Sequence, residues 1–318
     1  MMAMAPLRFG LVLGAFSDEI PGQKELGDFA RRAEAVGFDS VQVGDHVQWR
    51  APILESTTVM ATFAAVTDRI KIASDIIILP LRDPVLMAKT MASLDVVSGG
   101  RMIFGIGVGG DYPLEFAAMR IPVGERGARA NESLDIIKGL WANERFSYEG
   151  RHFSIRDVEI LPRPIQPSLP IWVGGSSDAA LRRAARYGDG WIPAFSSASK
   201  FARQASDLRR LLQEGGRTAE AFTFGVYLFA NVDPDPGRAL EAAAGYIERV
   251  YQLDGVRTME RSGVTGPPEG CAGRIIPYVE AGADHVVLAP MSSSRDWPRQ
   301  IDGYAEVIEH VRRRAGGR

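Results

Sequence analysis

Four histidines occur in the 318-residue chain, and His46 has the most suggestive setting. It closes the run Ser40-Val41-Gln42-Val43-Gly44-Asp45-His46, a short strand-like stretch ending in a glycine and an acid. A histidine at a strand end suits general acid–base chemistry, because imidazole titrates near neutral pH. Asp45 has two readings: it orients the imidazole, or it caps the following loop. A second stretch, Gly105-Ile106-Gly107-Val108-Gly109-Gly110, satisfies G-x-G-x-x-G literally. No helix follows it directly, because Asp111-Tyr112-Pro113 intervenes, and no strand-end acid stands about twenty residues on, so the dinucleotide reading is rejected. A strand end without side chains instead lets a flat ligand approach the backbone closely. The third stretch is Trp172-Val173-Gly174-Gly175-Ser176-Ser177-Asp178, a strand, two glycines and two hydroxyls before a helix. Backbone N–H groups at such a helix start form an anion site, which a phosphate-bearing cofactor fits.

The elements that must hold these residues follow from the switching period of the apolar pattern. Strands are expected at 7–13, 40–44, 70–79, 101–106, 170–173, 190–193, 223–230 and 285–288. Helical spacing lies between them, as in Leu26, Phe29, Ala30 and Ala33, and in Met87, Met91 and Leu94. Asp83 and Pro84 read as the N-cap and first residue of the third helix. Residues 143–168, with Pro162, Pro164 and Pro167, read as a hairpin and a proline-rich return. Eight β-α units predict an α/β fold, a (β/α)8 TIM barrel with insertions after strands four and seven. That fold is typically ~250 residues, and its chemistry sits at the C-terminal ends of its strands. No composition break or linker divides residues 1–318, so a single domain is expected.

Lys and Arg total 37 against 39 Asp and Glu, a net charge of −2, which argues against nucleic acid as a partner. The longest apolar run, residues 76–81, falls far short of the ~20 residues of a membrane span. Residues 1–9 show no charged segment followed by an apolar one, and Cys271 is the one cysteine, so a cytoplasmic protein is expected. His152, His285 and His310 share no metal-ligand spacing with His46, so no metal is expected. Cys271 has no activating neighbours and reads as a packed thiol.

Three stretches, 83–107 (DPVLMAKTMASLDVVSGGRMIFGIG), 171–191 (IWVGGSSDAALRRAARYGDGW) and 279–287 (VEAGADHVV), resemble the bacterial luciferase-like family of flavin and deazaflavin oxidoreductases. That resemblance implies a (β/α)8 barrel binding either FMN, which activates oxygen, or the deazaflavin coenzyme F420, which carries hydride. The Asp45-His46 pair resembles the F420 subgroup. The implied function is an F420-dependent oxidoreductase passing hydride to or from a small organic substrate; an FMN-dependent monooxygenase is the alternative. By the same resemblance, His46 handles the proton and Asp45 lies beside the ring. A non-prolyl cis bond is implied at Ser74-Asp75, in a strand-three bulge. Ile77, Val108 and Gly109 then surround the ring, and Gly174, Gly175, Ser176 and Ser177 hold the phosphate. The family's sugar-phosphate dehydrogenases carry a catalytic Glu just after the strand-four glycines; here the sequence reads Gly110-Asp111, which makes Asp111 its stand-in. Trp49 lies close to, but out of register with, the aromatic residue of that branch. The family also implies a homodimer. Residues 254–270, with Gly263, Gly266 and Gly270, read as a lid over the barrel mouth.

Overall fold

A computed structural model describes residues 7–16 and 19–316. The leader reading of residues 1–9 therefore falls mostly outside the described residues. Parallel strands covered on both faces need continuous apolar runs. The chain supplies them as β1 (Arg8–Leu13), β2 (Ser40–Val43), β3 (Lys71–Ser74), β4 (Met102–Gly107), β5 (Ile171–Gly174), β6 (Gly190–Ile192), β7 (Thr223–Val232) and β8 (His285–Pro290). Each pairs in parallel with the next, and β8 pairs with β1 through Arg8 to Leu11, which closes the barrel. The expected (β/α)8 architecture is observed, and both insertions fall after the strands expected.

Two large apolar clusters and a small third one, Ile78, Leu81 and Phe116, account for the packing among the described residues. The larger lies between strands and helices and includes Phe9, Leu11, Phe63, Phe104, Val226 and Leu288. The second fills the barrel and its upper rim: Val12, Ala73, Ile103, Trp172, Phe229 and Val287. Asp83 caps the helix Pro84–Val97 through Val85 N and Leu86 N, as its sequence predicts.

The first insertion carries an antiparallel hairpin, Phe146–Glu149 with Ser154–Val158. The second contains the helix Gly255–Ser262 and the strand Val264–Gly266, which extends the sheet beside β7 with Ala230 opposite Val264. Residues 254–270, read from the sequence as a lid, thus form a helix and a paired strand. Gly263 and Gly266 end a helix and a paired strand, and the carbonyl of Gly266 accepts a contact from the Cys271 thiol.

The strand-three bulge is present, but one residue later than expected: the non-prolyl cis bond is Asp75-Ile76, not Ser74-Asp75. Ser74 remains in the sheet, opposite Val43, with its hydroxyl donating to the Gly105 carbonyl at 2.7 Å. The strand resumes at Ile77–Ile78 against Ile106 and Gly107. The slip also changes which isoleucine is available. Ile77 is fully buried in the outer core, whereas Ile76 projects over the glycines of β4 and β5. A Cβ at Gly105 would lie 1.9 Å from the Ser74 carbonyl oxygen, so that position needs glycine for the bulge to fit, while Gly107 and Gly174 face the Ile76 side chain.

Candidate active site

His46 follows β2 at the barrel's C-terminal mouth, with 22% of its side chain exposed. Its Nδ1 lies 3.1 Å and 3.3 Å from the two carboxylate oxygens of Glu115, a side chain with no solvent exposure. A carboxylate can only accept, so Nδ1 carries the proton and Nε2 is left to face a ligand. The ring stacks on Trp49, with centroids 3.9 Å apart and planes 20° apart. Trp49 is itself fixed by donating from Nε1 to the Val250 carbonyl at 3.1 Å. The imidazole is therefore held in both plane and tautomer.

Glu115 sits on the short helix Pro113–Ala118, five residues beyond Gly110. Asp111 is exposed, and its backbone carbonyl accepts from Arg50 at 3.4 Å. The acid that meets His46 is thus Glu115, and Asp111 stays on the rim. No local spacing signals this contact, because the partners are 69 residues apart in sequence.

Asp45 makes no hydrogen bond to the imidazole and braces the neighbouring backbone. Its Oδ1 accepts from Ser56 Oγ at 3.0 Å and Arg82 at 2.6 Å, and its Oδ2 accepts from Ile78 N at 3.0 Å. Burial pushes this carboxyl upward, against the pull of Arg82 and the two other donors. It ties the bulge to Ser56, at the start of the helix Ser56–Val66, and to Arg82.

Val108, Gly109 and Gly110 are partly exposed where β4 ends, with Gly109 and Gly110 at φ of 57° and 114°. Gly175 has φ of 99° and is exposed after β5. Ser177 caps the helix Asp178–Tyr187 by accepting from Ala180 N at 3.2 Å. Ser176 accepts at Oγ from Lys200 Nζ at 2.9 Å, and its carbonyl accepts from Gln204. The helix Ala198–Glu214 thus adds a cation to the glycine-serine turn. Sequence reasoning missed Lys200 and Gln204, which lie one β-α unit away from the turn they meet. Among the described residues, no three His, Cys, Asp or Glu side chains gather as a metal site.

Residues 7–285 match the family model described as luciferase-like monooxygenase. The chain belongs to that family. An F420-dependent glucose-6-phosphate dehydrogenase of Beutenbergia cavernae is 32% identical over 316 residues, covering 90% of this chain and 92% of that protein. An uncharacterized protein of Mycobacterium tuberculosis is 29% identical over 269 residues, covering 78% and 84%. Among solved structures, an F420-dependent secondary alcohol dehydrogenase in complex with an F420-acetone adduct superposes with a TM-score of 0.84 at 22% identity. It covers 97% of this chain and all of that one, 100%. A monooxygenase from Streptomyces bottropensis gives 0.84 at 21% identity, covering 95% and 99%. These two superpositions establish the shared barrel.

The residues present fit the family's flat, phosphate-bearing cofactors on two counts. Val108, Gly109 and Gly110 leave partly exposed backbone at the end of β4, and the Gly174–Ser177 turn combines helix N–H groups, hydroxyls and Lys200.

Proposed function

We propose that this family member is an F420-dependent oxidoreductase that moves hydride between the deazaflavin and a small organic substrate. The observation that carries the reading is the Glu115–His46–Trp49 arrangement, which prepares one imidazole nitrogen for proton transfer. The relatives named for F420 chemistry support it. Gly174, Gly175, Ser176, Ser177 and Lys200 would hold the cofactor's phosphate, and Ile76, Val108 and Gly109 would border its ring. Asp45 acts one step removed, by fixing the bulge that carries Ile76.

When bound, the deazaflavin supplies a hydride acceptor or donor. In the oxidative direction a carbinol substrate loses hydride from carbon and a proton from its hydroxyl, and His46 Nε2 takes the proton. The imidazolium so formed faces the Glu115 carboxylate, which stabilises it in a site shielded from water. In the reductive direction Nε2 returns the proton to the carbonyl oxygen. Trp49 keeps the ring plane fixed through both steps, so little reorientation is needed.

The cytoplasm and a homodimer complete the reading. Cys271, buried and reduced, suits a reducing compartment. The helices Ser56–Val66 and Pro84–Val97 are apolar on nearly all sides, and Leu86 and Val97 stand 65% and 64% exposed. Helices of that kind are normally buried, and a second copy of the chain would cover them.

His46→Ala tests the assignment. F420 affinity should stay within about twofold while turnover falls about 10²–10⁴-fold. Unchanged turnover would remove His46 from the mechanism.

A further inference from the structure

The barrel mouth carries a second group of residues that the proposed proton transfer does not use. Trp49, Phe195, Tyr227 and Tyr251 are partly exposed and pack with Ile76 on the cluster that fills the barrel. Their rings join edge to face: Trp49 to Tyr251 at 6.1 Å, Tyr251 to Phe195 at 5.9 Å, Phe195 to Phe229 at 4.7 Å and Phe229 to Tyr227 at 5.3 Å. They come from the β2 loop, the end of β6, β7 and the end of the helix Pro236–Tyr251. Aromatic rings converging from four elements and left partly uncovered form a cup for an apolar body. Trp49 touches both His46 and Tyr251, so the cup opens directly onto the proton-transfer group.

One polar group lies among these rings. Asp75 Oδ2 is shielded from solvent and has no hydrogen-bond partner. The titratable groups that face it are the hydroxyls of Tyr227 and Tyr251, which also interact with each other. No basic side chain compensates the carboxyl, and burial alone pushes it well above the usual carboxylate range. A buried oxygen without a protein partner is a place where a ligand's polar group gains a hydrogen bond. Two cations stand near the cup, one on its rim and one at the turn after β5. Arg50 lies over Trp49 at 4.8 Å and Tyr112 at 4.9 Å, and Lys200 binds Ser176. A phosphate deep among the rings would lose its water, and neither Asp75 nor the tyrosines offset its charge.

We infer that the substrate is an uncharged, largely apolar cyclic alcohol or ketone, with its reacting group at His46 and a second polar group hydrogen-bonded to Asp75, and not a sugar phosphate. This inference rests on the proposed function and names its substrate class.

The test is calorimetric titration of the F420-loaded protein with three probes: benzyl alcohol, 4-hydroxybenzyl alcohol and glucose 6-phosphate. Both alcohols should bind at least tenfold more tightly than glucose 6-phosphate. The second hydroxyl should add about five- to tenfold in affinity, the worth of one hydrogen bond. Asp75→Asn should keep that advantage and Asp75→Leu should abolish it, with melting curves and F420 affinity showing that both variants are folded. Tighter binding of glucose 6-phosphate, or an equal hydroxyl advantage in Asp75→Leu, would overturn the inference. Running the same titrations without F420 separates the two claims. Failure of F420 to bind counts against the cofactor reading, while the ranking of the probes still judges the cup.

Discussion

Asp75 and His46 are both ionisable, both at the barrel mouth, and differ in what faces them. His46 meets a buried carboxylate at 3.1 Å, so either protonation state of its ring finds a hydrogen bond. Asp75 has a shielded oxygen without a protein partner, and burial raises its carboxyl well above the ordinary range. In the unfolded chain that carboxyl ionises near its ordinary value, about 3.9. A group whose folded value is raised stabilises the fold fully below the unfolded value and loses that contribution as pH rises. Asp75→Asn removes the loss. The variant should therefore melt about 2–4 °C above the natural protein at pH 7.5, with the difference shrinking towards pH 4. Thermal melts at the two pH values check this, and a difference independent of pH would show that Asp75 is ionised in the fold. At this scale the sequence is informative about His46, whose strand-end position is local. It is silent about Glu115, because no spacing rule links residues 69 apart. Asp111, the nearer acid, is on the rim because the helix Pro113–Ala118 must turn inward before an acid can reach the imidazole.

At the scale of elements, the bulge is held by a clamp. The Asp45 carboxyl joins Ile78 N, Ser56 and Arg82, and so connects the segment after β3 to the start of the helix Ser56–Val66. Arg82 offsets much of the cost of burying that carboxyl. Arg82→Met should cost about 3 kcal/mol, the usual penalty for leaving one partner of a buried pair alone. Denaturant unfolding measures it, and a loss below about 1 kcal/mol would show that the hydrogen bonds from Ser56 and Ile78 suffice. The glycine-serine turn after β5 is legible in the sequence because cap, hydroxyls and glycines are adjacent. Its cation, Lys200, comes from the next β-α unit and is not. The one-residue slip in the cis bond has a similar origin: distance from Pro84 fixes the loop length, whereas the β2–β3 register decides where the strand stops.

At the scale of the whole molecule, the barrel is the most legible feature. Alternation between short continuous apolar runs and helical spacing runs through the chain, and eight repeats leave few other closed solutions. The second insertion was harder to read. Its glycines read as a lid, whereas the pairing of the strand Val264–Gly266 with β7 depends on where β7 ends. The apolar outer faces of the helices Ser56–Val66 and Pro84–Val97 bear on assembly. Leu86→Glu puts a charge on the exposed part of that face, where a dimer would have to desolvate it. The natural protein should sediment as a dimer and the variant as a monomer with the barrel intact; a variant that stays dimeric would place the interface elsewhere.

The central claim, an F420-dependent barrel whose imidazole moves the proton, is tested most directly by cofactor choice. Purified protein is titrated separately with F420 and with FMN, following fluorescence. The account predicts saturable F420 binding at least tenfold tighter than FMN, and substrate-linked turnover that consumes no oxygen. Preferential FMN binding, with oxygen consumed during turnover, would contradict it and make the protein a flavin monooxygenase of the same family.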